Sequence, residues 1–494
     1  MGFVTRVVRT PALLSPAHFA PVAGAGLLVA ASVGMGALVA NAGVVWEDNS
    51  EALLIALGAV IGLAVLRSGA VGCIAVIAGL AASGADFPLG SVGELDVVAP
   101  DILYAGALAW WAAAAVGRLV DPSVPREPSP RFGQWAAIAF LAFGGVSLYY
   151  VWSETPGGLD HSAVSWLRFV QTASLAFLAA AVIRSRRDLV VVLAAIAAGA
   201  LVAVGSGIVE VIEGTTPIGG RVSGMHGPNE LALVSGMLVL IATFAVGRRR
   251  PALCALLIVA GVISLLLAKS VGVFVGTGAA LAVGAAFSRA GSGLQRASSF
   301  GLAVVVAAAL VIGAVQLLRP DATPGSSGFN YNSTSQRVIV GAAGIEIFER
   351  NPVIGVGWRR SDAPDVIGAR DINIDLRHRF PGARQDFFPD VTPASVHNTY
   401  VQVLAELGLV GFVLFAVMLV AIFAGVRRVL RGVPPGDPLW GIAWAMGLSL
   451  LLVLVWFNEN PLYGGQVDTI LAATLIGCLA RMSAMVERRR GAAA

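Results

Sequence analysis

The sequence predicts an all-α, polytopic integral membrane bundle of about 12–14 transmembrane helices, with one large extracytoplasmic loop containing short helices. Three observations predict it. Hydrophobic residues make up 57% of the 494 residues and charged residues only 13%, and the mean hydropathy is +0.82. Apolar runs close to the length a bilayer demands recur along the chain, separated by short connections. Those connections alternate, arginine-rich then acidic, as they do when successive loops fall on opposite sides of a membrane.

The runs lie near 20–40, 51–66, 69–84, 97–117, 132–152, 163–183, 189–212, 229–247, 251–268, 271–287, 298–318, 398–425, 439–457 and 466–483. The second and third are short, hence the range of helix number. Arg6 and Arg9 precede the first run without a small-residue cleavage site after it, so that span is expected to be retained. Arg67, Arg118, Arg184 to Arg187, Arg248 to Arg250, Arg289 and Arg427 to Arg431 mark every second connection. With Arg6, Arg9 and Arg488 to Arg490 at the ends, they put both termini in the cytoplasm. The intervening connections carry Glu47-Asp48, Asp86 to Asp101, Glu154 to Asp160 and Glu210 to Glu213. The chain divides accordingly into helices over 1–318, a large outer loop over 319–396, and C-terminal helices with a cytoplasmic tail over 397–494.

Composition excludes several classes. Cys73, Cys254 and Cys478 fall in separate apolar runs, which implies neither a disulfide nor a metal framework. The net charge of +4 comes largely from membrane-proximal arginines and gives no reason to expect nucleic acid as a partner. Lys269 is the only lysine. The 59 glycines read mostly as helix-packing positions in a bilayer.

The loop over 319–396 carries nine arginines and nine acids, and a connection of that length is usually functional. Within it, Val338, Ala342, Ile345 and Phe348 recur at helical intervals over Ser335 to Glu349. Asn351-Pro352 ends that helix, Gly355-Val356-Gly357 reads as a tight turn, and 358–390 reads as irregular. Asp371, Asn373 and Asp375 have the opening spacing of a calcium loop, but Leu376 stands where glycine is needed and no glutamate closes it. That stretch reads as a solvated turn.

Three polar segments fall on the outer side. His397-Asn398 stands where the long loop gives way to an apolar helix containing Tyr400, Gly408 and Gly411. An imidazole there can act as a general base toward a hydroxyl; the alternative is a solvated loop histidine, which for a lone histidine comes first. Asn398 can cap the helix or orient a substrate. The segment Glu213 to Glu230 holds Arg221, His226 and Asn229, and Phe457 to Gly465 holds Glu459 and Tyr463. Arg221 and Arg337 can pair with phosphate oxygens or with the loop's acids, and spacing leaves the two readings level. Arg168 and Lys269, at the outer ends of two spans, are either functional charges or snorkelling side chains. Asn229 can also cap the span it opens.

Taken together these segments resemble a known family. His397-Asn398, nine residues, Gly408, two residues and Gly411 is similar to the signature of the O-antigen ligase and Wzy-type polysaccharide polymerase superfamily. Arg221 to Ala232 resembles its Arg-x-x-Gly … Pro-Asn-x-x-Ala segment, and Ser335-Gln336-Arg337 with Asn351 to Gly357 its Ser-x-Arg … Asn-Pro-x-x-Gly-x-Gly run. The likeness covers about 215–465 in detail. Where members often carry Ser-Arg-Gly, this chain has Lys269-Ser270-Val271-Gly272, a point charge in place of a planar fork.

The resemblance implies a metal-independent, inverting glycosyltransferase of the cytoplasmic membrane. Its donor is a glycan on undecaprenyl diphosphate, its acceptor a glycan or lipid-glycan hydroxyl, and it needs no cofactor. His397 is then the base, and Arg221, Arg337, Lys269 and Arg168 hold the diphosphate. Asn398, Asn229, Glu459 and Tyr400 support the site. A secondary transporter of a polysaccharide precursor or other anionic solute is the alternative, but it would place its charges near the midplane in two related halves. Here they gather at one surface.

Overall fold

The computed structural model describes residues 69–84, 88–92, 95–120, 133–154, 159–214, 221–225, 227–247, 250–287, 331–392, 395–458, 460–462 and 467–493. The predicted spans at 20–40, 51–66 and 298–318 lie outside them. Helices dominate: α1 (Ala70–Ser83), α2 (Ala99–Val120), α3 (Gln134–Glu154), α4 (Leu159–Val182), α5 (Arg186–Glu213), α6 (Pro228–Ile241), α7 (Pro251–Ala268) and α8 (Val271–Phe287) come before the large loop. After α9 (Tyr331–Arg350), α10 (Pro364–Ile367) and α11 (Arg370–Arg379) come α12 (Thr399–Gly432), α13 (Trp440–Trp456) and α14 (Val467–Ala493). A short π-helical turn, Ala242–Val246, extends α6. Among the described residues, eight helices are long and apolar enough to cross a membrane: α2 to α7, α12 and α14. The chain is an all-α polytopic membrane bundle.

One element was not foreseen in the acidic connection before α2. Pro88–Val92 and Leu95–Val98 pair as an antiparallel hairpin with an irregularity between Pro88 and Gly90.

Burial separates the helices into a centre and a rim. α6, α13 and α14 are enclosed on nearly all sides. α7 instead exposes Leu256, Val259, Ile263 and Leu266, and α3 exposes Trp135, Val146, Tyr149 and Trp152. Large apolar side chains left facing outward on a bundle of this composition meet lipid, where close backbone approach rather than hydrophobicity holds helices together. Small residues supply it. A Cβ at Gly199 of α5 would strike the Gly79 carbonyl of α1, and one at Gly477 of α14 the Ala176 carbonyl of α4.

The large loop has a core of its own. Ile339, Val340, Ala343 and Ile347 of α9 pack with Ile367, Ile372, Leu376, Phe387 and Phe388, and with Val396 and Ala405 at the start of α12. Residues 358–390 are therefore ordered around α10, α11 and the 3-10 turn Gln385–Phe387, not irregular. Asp371 and Asp375 are no solvated turn either. They lie one helical turn apart on α11 and both bond Arg350 at the end of α9, while Asn373 between them is buried and donates to the Ile367 and Ala369 carbonyls.

The predicted span over 398–425 is two helical pieces. Gly408 interrupts α12 with φ 60° and ψ −163°, a left-handed conformation that favours glycine. A helix break leaves carbonyls unpaired on one side and N–H groups on the other. The Asn351–Gly357 turn supplies partners for both. Val356 and Gly357 N–H donate to the Ala405 and Glu406 carbonyls at 3.0 and 2.8 Å, and Leu409 and Val410 N–H donate to the Pro352 and Val353 carbonyls at 2.8 and 3.2 Å. The fit admits no side chain on either strand. A Cβ at Gly408 would lie 2.4 Å from the Val353 carbonyl, and one at Gly355 would lie 2.3 Å from the Glu406 carbonyl carbon. Trp358, next in the turn, is driven between α3 and α4, with its N–H on Ser147 Oγ and its indole N–H on Ser165 Oγ.

Gly408→Ala should therefore cost about 2–6 kcal/mol, the sum of left-handed strain and forced displacement, and should lower both membrane abundance and melting temperature in detergent. Gly341→Ala, in α9 with nothing near its Cβ, should be neutral or stabilising by about 0.5–1 kcal/mol. A Gly408→Ala protein melting no lower than wild type would show that the break can be dispensed with.

Candidate functional site

His397 is held from both sides. Val396 before it is buried in the loop core. After it, the Asn398 side chain caps α12, accepting from the Tyr400 and Val401 N–H groups at 3.0 and 3.1 Å, an arrangement that asparagine is suited to. Thr399 donates its N–H to the Phe457 carbonyl and its hydroxyl to the Asn460 carbonyl. The Tyr400 hydroxyl donates to the Leu454 carbonyl. The imidazole itself is largely enclosed, and its Nδ1 has no hydrogen-bond partner among the described residues. Burial, and then the Arg337 charge, push its pKa below the ordinary value, since both disfavour the imidazolium. Near neutral pH it is an uncharged base. Arg337 comes close because α9 packs on α12, where a Cβ at Gly344 would touch Val401 and Val396. Arg337 stands two turns earlier on the same helical face.

Arg221 belongs to a second strand of backbone laid across the helix ends. Val222 N–H donates to the Leu267 carbonyl. Arg221 donates through Nε to the Ala268 carbonyl at 3.0 Å and through Nη2 to Asn229 Oδ1 at 2.5 Å. The Ser223 and Gly224 amides both donate to Glu210 Oε2 at the end of α5, and the Met225 amide to Ser206 Oγ. Gly224 takes φ 58° there, with Ser206 Oγ 2.7 Å from where a Cβ would sit. That is the physical content of an arginine followed three residues later by glycine. Lys269 follows Ala268 as the C-cap of α7 at φ 51°, so the lysine and Arg221 share one corner. Glu230, next to Asn229, lies near enough to Asp468 to interact with it. Asp468 accepts from the Trp456 indole, one residue before the carbonyl that holds Thr399. The Arg221 corner and the His397 corner are thus joined at one end of the bundle.

Residues 230–416 match the sequence model of the O-antigen ligase family, Wzy_C. Over that stretch the chain is similar to that family. The matched stretch contains Lys269, Arg337, His397 and both sides of the Gly408 interlock, whereas Arg168, Arg221 and Asn229 precede it. No curated protein matches the chain.

The other expected site residues divide. Arg168 on α4 pairs with Asp101 at 3.2 Å, and Asp101 also accepts from Gln171 and from the Val98 amide. That arginine ties α4 to the hairpin and α2. Glu459, Tyr463 and His226 lie outside the described residues. No three His, Cys, Asp or Glu side chains among the described residues are grouped as metal ligands.

Sequence reading passed over Glu406. It is 3% exposed and accepts from the Arg359 amide at 2.9 Å, the Ser361 hydroxyl at 2.7 Å and Gln402 Nε2 at 3.0 Å. The available signal was an acid inside an otherwise apolar span, four residues after a glutamine.

An apolar cavity of about 440 Å³ begins beside this end of the bundle. Phe457 and Leu462, both tied to the start of α12, stand at one extreme, and Gln134 and Arg481 at the other. Between them it is floored by small residues, Ala173 and Ala176 of α4 with Ala472 and Ala473 of α14. From Thr469 to Arg481 it follows α14 for roughly 18 Å at the helical rise. Neither Arg221, Arg337 nor His397 lines it.

Proposed function

We propose that the chain is a membrane glycosyltransferase that moves a glycan from undecaprenyl diphosphate to an acceptor hydroxyl at the outer face of the cytoplasmic membrane. The observation that carries the reading is a half-buried imidazole at His397 whose Nδ1 has no hydrogen-bond partner among the described residues and whose pKa burial and the Arg337 charge lower, inside the stretch that matches the O-antigen ligase family. His397 takes the proton of the acceptor hydroxyl as that oxygen attacks the anomeric carbon. The bond from that carbon to the diphosphate breaks, and the configuration inverts. Arg337 and Arg221, with Lys269 beside Arg221, hold the charge that grows on the departing diphosphate. Guanidinium groups positioned in advance do this without reorganisation and without a metal ion. Arg168, already matched by Asp101, is assigned to holding the fold. The arginine-rich connections support a reading with both termini in the cytoplasm.

The apolar cavity supports the same reading, because a hydrocarbon chain whose diphosphate sits near His397 has a groove to enter. Filling it with Ala173→Phe should raise KM for a long-chain polyprenyl donor and leave a short-prenyl donor unaffected. Equal effects on both donors would remove the cavity from the reading.

Deletion of the gene should change the surface glycan. Single repeats without long chains would indicate a polymerase, and accumulated long lipid-linked glycan a ligase. His397→Ala, at normal abundance, should fail to restore the glycan, a loss of about 10²-fold or more in rate if it is the base. Full restoration would refute the assignment.

The pH profile has a definite sign. Activity needs neutral His397 and is lost as pH falls through its pKa, which in the free protein lies below the usual imidazole value. A bound diphosphate offsets Arg337 and lifts that pKa. The acid limb of kcat should therefore fall at higher pH than the acid limb of kcat/KM, since the two report the bound and free forms. Coincident limbs would separate Arg337 from the diphosphate.

A further inference from the structure

Glu406 takes no part in the chemistry above, yet it is a carboxylate enclosed among donors from the 359–361 turn and from its own helix. Burying a charged or polar group without partners is costly, and here three partners converge. Arg359 N–H and Ser361 Oγ–H belong to the turn that interlocks with Gly408. Gln402 Nε2 belongs to the helical piece that begins at Thr399. The same Gln402 accepts the Leu462 N–H on its Oε1, so the chain of bonds continues into the 460–462 turn. That turn supplies the Asn460 carbonyl to Thr399 Oγ1, two residues from His397. Arg359 itself holds φ 60°, a conformation that a non-glycine residue keeps only when its surroundings impose it.

We propose that Glu406 is a positioning residue: its carboxylate locks the 359–361 turn and, through Gln402, the 460–462 turn onto the helical piece that presents His397, and so fixes the imidazole relative to Arg337. The proposal rests on the reading of His397 as the base. Each of the three donors needs an acceptor. Glu406→Gln replaces one oxygen with an NH₂ that cannot accept, so at least one contact is lost or reversed while the volume is kept. A polar group stranded in this way disturbs geometry more than it disturbs packing, and small misplacements of a catalytic group cost rate rather than binding.

The experiment uses membranes of a deletion strain carrying each variant, with the lipid-linked glycan that the strain accumulates as substrate. The readout is release of lipid diphosphate at saturating and limiting donor. Glu406→Gln should lower kcat by about 10-fold or more with donor KM within about 2-fold, at wild-type abundance. In a His397→Ala background it should lower the remaining rate no further. Wild-type kcat in Glu406→Gln, or an equal further loss in the His397→Ala background, overturns the proposal. If Glu406→Gln does not accumulate, Gln402→Met keeps the volume and removes both Gln402 bonds: reduced kcat with retained KM supports the proposal, and unchanged kcat overturns it. Activity retained in His397→Ala would instead defeat the base assignment, a result distinct from an inactive His397→Ala beside a fully active Glu406→Gln.

Discussion

The structure depends on a set of four backbone hydrogen bonds exchanged between the Asn351–Gly357 turn and the break in α12 at Gly408. Inside an apolar bundle an interrupted helix is costly, because its freed carbonyls and amides have no water to turn to. The turn satisfies them reciprocally, and in doing so it fastens a loop of mixed charge to a helix of the bundle. Two glycines, Gly355 and Gly408, make the approach sterically possible. Everything polar near His397 follows from this joint. The helical piece before the break carries Asn398, Tyr400, Gln402 and Glu406 on a short lever anchored at both ends. The piece after the break returns to an apolar span.

Charge is handled differently in two places, and the difference sorts the arginines. Arg168 faces a carboxylate, Asp101, and serves to hold α4, α2 and the hairpin together. Arg221 directs Nε and Nη2 to a carbonyl and an amide oxygen, which orient a guanidinium while leaving its sign intact at those bonds. Arg337 lies near an imidazole whose pKa is lowered by burial and then by the Arg337 charge. Lys269, at the C-cap of α7, adds a cation at a helix C-terminus, where the backbone dipole favours it.

The bundle was legible because bilayer physics writes itself into length and charge. The run at 251–268 coincides with α7 and the run at 271–287 with α8. The motif residues were legible in part: the sequence offered Asn398 as a cap or a substrate ligand, put Asn229 in the same polar segment as Arg221, and ended the loop helix at Asn351-Pro352. The break at Gly408 was not. A glycine in an apolar run reads as a packing position, and only the turn lying against it reveals that its φ has changed sign. α11 was hidden for another reason. Its apolar face is two residues, Ile372 and Leu376, among five arginines and aspartates and a histidine, too narrow a stripe for periodicity to detect. Glu406 was missed because an isolated acid in a span suggests a channel or a pump before it suggests a clasp.

That clasp explains a choice that the chain did not need for stability alone. Apolar side chains at 402 and 406 would pack the same space, and replacing buried charges by hydrophobic groups is often neutral or stabilising. Apolar contacts, however, tolerate sliding, whereas directional bonds to the Arg359 amide, Ser361 and the Leu462 amide define one arrangement. If His397 is the base proposed above, it gains from that definition, because the reacting atoms must stay within a few tenths of an ångström of a productive line. On the proposed reading, the mixed-charge loop, the broken helix and the buried carboxylate have a common purpose: they fix His397 at the edge of the bundle.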